Sequence, residues 1–383
     1  MDFNTHTIVM VEPGGWGGIC HYTYNLSQAL AKAGNKVVLI SGGPYELADL
    51  PRCFHLEACL DSYGPYLDNW IKVQQVLSKT GPAVLHLQAT FAARRDWLPM
   101  LVARLAGIPV VLTIHNVFPH DRAEREVAGM NLALDLIYRS AHALIVHGQS
   151  NLQELLAFFP LDPSRVVDIP HGDYQFARQD QTYSPSEARD RLGLPQEAPV
   201  ALCFGAIREY KGIHLLIPAF ARVHQNLPQA RLMVVGKPAG TDAETYSRLI
   251  HQHNLEDAVL FKPEYIDLEE IGLYFAAADL AVYPYLKVYQ SGALQLAYAF
   301  AKPVIVTAVG GLPETVEEGL NGHIIPPGSI DALATALEAS LSAPSDTLRQ
   351  MGQRSLELAG NRYGWPEIAQ STLQVYRQAV REA

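Results

Sequence analysis

The sequence predicts an α/β protein of two domains, each a doubly wound parallel sheet. Three observations predict it. Short runs rich in Val, Ile and Leu recur along the 383 residues, and each is almost continuously apolar, as a strand buried on both faces must be. Longer stretches with helical spacing separate them, and alternation of strand and helix favours right-handed parallel βαβ units. The length exceeds the needs of one core and suits two.

In the first half the strand runs are 7–11, 36–41, 83–88, 109–116, 143–147 and 166–170. In the second half they are 199–206, 230–236, 258–263, 280–285, 303–307 and 323–326. A helix is predicted over 19–33 and stops at Gly34; another over 96–105 stops at Gly107. Glycine just past a helix end adopts the left-handed conformation at no steric cost. The polar stretch 179–198, with its Ser-Pro-Ser, reads as the break between domains, which places the first domain at 1–185 and the second from 186.

Hydrophobic residues make up 49% of the chain and charged residues 18%, an ordinary globular balance. The formal net charge of −10 argues against nucleic acid, whose phosphates select basic surface. A local basic pair on an acidic protein still suits a small anion. Cys20, Cys53, Cys59 and Cys203 lack metal or disulfide spacing and read as reduced thiols. The polar start lacks the pattern of a signal peptide. No apolar run reaches the roughly 18 residues that span a bilayer. The expected location is therefore cytoplasmic.

In doubly wound folds ligands bind where strands end and helices begin. Three segments lie there. The first is Glu12-Pro-Gly-Gly-Trp-Gly-Gly-Ile-Cys-His21. Its glycines permit close backbone approach, and a helix N-terminus after it suits an anion. Gly17 and Gly18 are the expected ligand contacts, with Trp16 exposed at the tip against a sugar face and His21 opening the helix. The spacing is not that of the dinucleotide fingerprint. The second is His115-Asn116, the two polar residues that end the strand run 109–116, repeated by His171 after the run 166–170. A strand-end histidine suits a sugar hydroxyl or a proton in transit. His120 and Asp121 follow in a loop on the expected acceptor side; His6 and His147 lack such a setting.

The third segment is the most specific: Phe204-Gly-Ala-Ile-Arg208-Glu-Tyr-Lys211-Gly212. Arg208 and Lys211 stand three apart after a buried strand. A guanidinium grips phosphate oxygens in a fork and an ammonium adds a compact charge. Fixed cations beside a departing diphosphate stabilise the transition state more than the ground state.

Taken together these residues resemble the family-4 glycosyltransferases, retaining enzymes of the GT-B fold, over essentially the whole chain. The glycine loop resembles that family's N-terminal loop, and His115 its mid-domain histidine. Gly205-x-x-Arg208-x-x-Lys211-Gly212 resembles its phosphate clamp, and Gly236 the following strand end. Lys302-Pro303, Val309-Gly-Gly-Leu-Pro-Glu314 and Asn321-Gly322 match late signatures. Tyr363-Gly364-Trp365 opens a terminal segment, 363–383, which in the family crosses back to the first domain.

The resemblance implies two facing Rossmann-like domains and a nucleotide-sugar donor, a UDP-sugar ahead of a GDP- or ADP-sugar. It implies a hydroxyl acceptor, glycan, lipid-linked or small, with catalytic roles for His115, Arg208 and Lys211. No cofactor and no metal are expected, since no Asp-x-Asp motif occurs. One departure stands out: two glutamates usual in the family are Val288 and Leu296 here. Gln290, Ser291, Gly292 and Ala293 are then the expected polar contacts beside the basic pair. A catalytically idle nucleotide-sugar-binding protein, a sugar phosphorylase and an epimerase are the alternatives. The segment 91–97, with Arg94 and Arg95, reads as a solvated helix start or a peripheral membrane contact.

Overall fold

A computed structural model describes residues 6–61, 64–89, 93–118, 127–178 and 183–383, with the backbone alone at 66, 93–98 and 127–131. Two compact units divide the chain: 1–172 with 363–383, and 173–362.

The first unit alternates β1 (Thr7–Glu12), α1 (Gly17–Lys32), β2 (Lys36–Gly42), β3 (His55–Leu60), α2 (Tyr66–Thr80), β4 (Val84–Gln88), α3 (Ala93–Leu105), β5 (Val110–Ile114), α4 (Val127–Ser140), β6 (Ala143–Val146), α5 (Gln149–Phe158) and β7 (Val166–Asp168). Its seven parallel strands lie in the order β3-β2-β1-β4-β5-β6-β7. The chain winds outward from β1 to β3, returns to β4, and winds the other way. The direction reverses at β1/β4, where loops part and leave room for a ligand. The strand β3 is an addition to the predicted set. It lies at the sheet edge, its residues exposed or half-buried apart from Leu60, so it lacks the continuous apolar run that marks an inner strand.

The second unit holds α6 (Pro185–Leu192), β8 (Val200–Phe204), α7 (Ile213–Asn226), β9 (Arg231–Val235), α8 (Ala243–Gln252), β10 (Val259–Lys262), α9 (Ile271–Ala277), β11 (Leu280–Tyr283), α10 (Gly292–Ala299), β12 (Val304–Thr307), β13 (Gly322–Ile325), α11 (Ile330–Leu341) and α12 (Ser345–Arg362). Its six strands run β10-β9-β8-β11-β12-β13, and the reversal falls at β8/β11. One sheet face packs on α7 and α11 through Phe220, Val223, Val234, Val282, Ile305 and Leu337.

The last helix, α13 (Trp365–Glu382), belongs to the first unit. The first crossing falls at Gly172/Asp173 instead of 185/186. Residues from Asp173 on pack with the second unit: the Tyr174 hydroxyl lies against Gly292, and the Arg178 guanidinium donates to the Ala299 carbonyl at 3.3 Å. The stretch 179–198 is also not a plain linker. It contains α6, which Ser184 caps by accepting from the Glu187 amide and Gly193 closes in the left-handed region. Arg189 of that helix pairs with Asp279 at 3.0 Å.

Glycine is required where two switch-point loops of the second unit meet. Gly212 has φ +69°, and a Cβ there would collide with the Pro284 carbonyl. Gly240 has a similar φ, +72°, with open space around it. Gly240→Ala should therefore meet backbone strain alone, about 1 kcal/mol. Gly212→Ala meets strain and collision, and should lose a further 1–3 kcal/mol or so. Urea unfolding of the two variants beside the parent protein checks the difference; equal losses would contradict it.

Candidate active site

In the second unit the candidate residues converge at the ends of β8 and β11. Gly205 leaves β8 at φ +116°, and a Cβ there would stand 3.0 Å from Lys211 Nζ and 3.3 Å from Ala293 Cβ. Gly236, φ +145°, lies so near that a Cβ would strike the Gly205 carbonyl. Arg208 is extended, at φ −135° and ψ 153°, and precedes a single 3₁₀ turn, Glu209–Lys211. Lys211 Nζ lies 5.1 Å from the Tyr285 ring centre, within range of a cation–π attraction. Burial lowers the lysine's pKa below its ordinary value, with nearby Arg208 acting in the same direction. A charge so poorly hydrated gains much from a diphosphate partner.

The facing wall is the loop after β11. The Leu286 amide donates to the Tyr210 carbonyl at 2.7 Å, and Thr307 Oγ1 to the Tyr285 carbonyl at 2.5 Å. Ser291 caps α10 by accepting from the Leu294 amide at 3.3 Å, and the Tyr283 hydroxyl donates to the Ala293 carbonyl at 2.5 Å. The Val-Gly-Gly-Leu segment supports this loop from behind. A Cβ on Gly310 would strike the Val288 carbonyl, and one on Gly311 would strike the Gln290 amide; the Gly311 amide donates to the Tyr289 carbonyl at 3.0 Å. Gln290 is thus laid against Gly311. Val288 and Leu296 are both buried and offer no acceptor for a hydroxyl.

In the first unit the glycine loop is held by the protein's own carboxylates. Glu12, buried, accepts from the Gly14 and Gly15 amides at 2.7 and 2.9 Å and from Ser41 Oγ at 2.9 Å. Burial raises its pKa, against the pull of those bonds. Trp16, extended, gives α1 no side-chain cap. Glu46 supplies it from a distance, accepting from the Gly17 amide at 2.6 Å and pairing with His21 Nε2 at 3.0 Å. Trp16 is 60% exposed, as expected of a loop tip.

The strand ends of this unit carry a row of imidazoles. His115 follows β5, His147 follows β6 and His171 follows β7, with ring centres 5.0 to 6.0 Å apart. Tyr22 of α1 lies against all three rings, and Trp365 of α13 against Tyr22 at 5.5 Å. Trp365 also covers Gly172, where a Cβ would enter its ring. Gln88 Oε1 accepts from His115 Nε2 at 2.7 Å, and His147 Nδ1 donates to the Ile169 carbonyl at 2.7 Å. Desolvation, reinforced by the neighbouring imidazoles, holds His115 well below the ordinary histidine pKa; desolvation alone brings His147 to about 4. Below them, His86 bridges Tyr376 of α13 and Thr113 at 2.7 Å each, and burial brings it to about 3.

The structure therefore gathers His115 and His171, with half-buried Asn116 beside them, and it corrects the reading of His147, which stands in the same row. The strand run 143–147 counted that histidine as part of the strand, although β6 ends at Val146. Gln88, Tyr22 and Glu46 carry no motif and emerge only from packing, and Trp365, read only as the start of the terminal segment, gains its place against Tyr22 the same way. His120, Asp121 and Phe91 lie outside the described residues, as do the side chains of Arg94 and Arg95. All four cysteines are free, Cys53 exposed and Cys59 half-buried. Among the described residues no helix is long and apolar enough to cross a membrane, and no cluster of three or more His, Cys, Asp or Glu has metal-binding geometry.

Two family models match the chain. "Glycosyltransferase Family 4" covers residues 16–172 and "Glycosyl transferases group 1" covers 185–357. The chain is similar to D-inositol 3-phosphate glycosyltransferases of Kineococcus radiotolerans, 29% identical over 99% of this chain and 95% of the relative, and of Corynebacterium glutamicum, 26% identical over 98% and 95%. Its fold matches a sucrose-phosphate synthase from Thermosynechococcus elongatus with a TM-score of 0.80, 22% identity and 99% and 100% of the two chains covered. It also matches Anabaena HepE in complex with UDP-glucose, with a TM-score of 0.74, 19% identity and 97% and 99% covered. The chain belongs to the family-4 glycosyltransferases of the GT-B fold. It is a glycosyltransferase.

The histidine row has a measurable cost at low pH. Histidines whose native pKa is depressed stay neutral when folded, while the unfolded chain takes up protons below about pH 6.5. Stability of the first unit should fall as pH drops from about 6.5 toward 4, by up to about 1.4 kcal/mol per pH unit for each of His86, His115, His147 and His171, the last brought by burial to about 3. The raised carboxyl of Glu12 acts in the opposite sense. Urea unfolding at pH 7, 6 and 5 checks the slope, and replacing His86 by Gln should flatten it.

Proposed function

We propose that this glycosyltransferase moves a hexosyl group from a UDP-sugar to a hydroxyl acceptor with retention at the anomeric carbon. The observation that supports it most is the Arg208–Lys211 pair against the Gly205 and Gly236 backbone and the start of α10. Strand-end glycines let a diphosphate approach the chain closely, and the amides of Gly292 and Ala293 and the two cations complement its charge. A UDP ligand in a protein of the same fold, Anabaena HepE, supports the choice of base.

In the step proposed, the bond from the anomeric carbon to the diphosphate oxygen breaks and one to the acceptor oxygen forms on the same face. The acceptor's proton passes to an oxygen of the leaving diphosphate. Arg208 and Lys211 neutralise the charge that grows there. His115, uncharged, meets a hydroxyl of the reacting sugar without opposing the positive charge that develops on its ring. With Val288 and Leu296 apolar, the cations and the 291–293 backbone carry most of the donor grip. Trp16, His21, Asn116 and His171 are assigned to the acceptor side. Its similarity to D-inositol 3-phosphate glycosyltransferases makes a phosphorylated polyol one acceptor to assay.

A thermal-shift screen of UDP-, GDP- and ADP-sugars tests the donor, because a ligand stabilises in proportion to the logarithm of its concentration over its Kd. The UDP-sugar should raise Tm most. Arg208→Ala and Lys211→Ala should each lower kcat/KM by roughly 10²- to 10³-fold. Donor binding and turnover little changed in both variants would refute the assignment.

A further inference from the structure

The carboxyl ends of β4 and β5 carry two stacked polar pairs. Residues two apart share a face of a strand. His86 and Gln88 on β4 accordingly meet Thr113 and His115 at the end of β5, each at 2.7 Å. Gln88 and His115 are both almost fully buried, so water does not compete for the bond between them.

That bond fixes a proton. An amide oxygen has none to give, so the hydrogen in the pair sits on His115 Nε2. In a neutral ring Nδ1 is then the acceptor. We infer that Gln88 is a positioning residue, which holds His115 as its Nε2–H tautomer and so presents the Nδ1 lone pair to a hydroxyl of the transferred sugar. The inference rests on the proposed contact between His115 and that sugar.

The choice of an amide at position 88 matters. A carboxylate there would also accept from Nε2–H, but it would favour the imidazolium, and a cation beside a sugar gaining positive charge opposes the reaction. Among the described residues, the other groups facing His115 are Tyr22 from α1, His86 from β4, His147 after β6 and His171 after β7. None of these is a carboxylate. Asp168 acts on His147, one position removed.

The test combines a spectrum with a pH profile. In the full chain labelled with ¹⁵N-histidine, the long-range ¹H–¹⁵N signals missing from His115→Phe identify that ring. Wild type should show the proton on Nε2. Gln88→Leu should release the tautomer and lower the rate of UDP release from UDP-glucose by roughly 10- to 100-fold at every pH. Gln88→Glu should keep the tautomer and work well at alkaline pH, with its acid limb moved up by about one unit or more. A purely structural role would give both variants the same loss and an unchanged profile. A proton on Nδ1 in wild type, or a Gln88→Glu profile parallel to wild type, overturns the inference; the wild-type spectrum decides even if a variant does not fold. If Gln88→Leu releases the tautomer and turnover is unchanged, His115 has no part in sugar contact and that parent reading fails instead, while Arg208 and Lys211 variants report on the donor clamp independently.

Discussion

The collision that Gly212 avoids organises the second unit. The Pro284 carbonyl occupies the space where any other residue would place a Cβ, and the left-handed turn there sends the chain from Lys211 straight into α7. The two strands at the reversal of the sheet are β8 and β11, and this contact ties their loops together. Lys211 consequently lies on Tyr285, and Arg208 stands extended at the same edge. The bond from Leu286 to Tyr210 repeats the tie one residue further along. Positions 310 and 311 apply the same device from the other side, holding 288–290 by the absence of side chains. The geometry proposed to hold a diphosphate thus comes from backbone packing, with the charged residues added to it.

The first unit reaches comparable order by burying polar groups. Its row of neutral rings is enclosed by Tyr22 from the first helix and Trp365 from the last. Buried imidazoles are costly unless satisfied: Gln88 of β4 meets His115, the Ile169 carbonyl just after β7 meets His147, and Tyr376 of α13 meets His86 below the row. The terminal helix is therefore part of the floor beneath the strand ends as well as cover for the sheet.

Much of this was legible in the chain. Inner strands announce themselves because both faces are buried, so all twelve expected runs correspond to strands. The edge strand β3 was hidden because solvent on its flanks allows Glu57 and His55. The basic pair was readable because its residues are contiguous and their chemistry is narrow. The rest was not, for a physical reason: Gln88, Tyr22 and Glu46 act through partners distant in sequence, and a single glutamine or tyrosine has no spacing to recognise. The helix α6 was within reach, since Ser184 and Glu187 have capping-box spacing, but its polarity resembled a linker.

The carboxylates of Glu12 and Glu46 give the glycine loop a property that its composition does not suggest. A run of glycines is normally the most pliant stretch of a chain, and ordering it on binding is entropically expensive. Here the amides of Gly14, Gly15 and Gly17 are already engaged by internal anions, so the loop is preorganised before any substrate arrives. The same arrangement makes Glu46 a competitor. A substrate anion that seeks the Gly17 amide must displace a tethered carboxylate at high effective concentration.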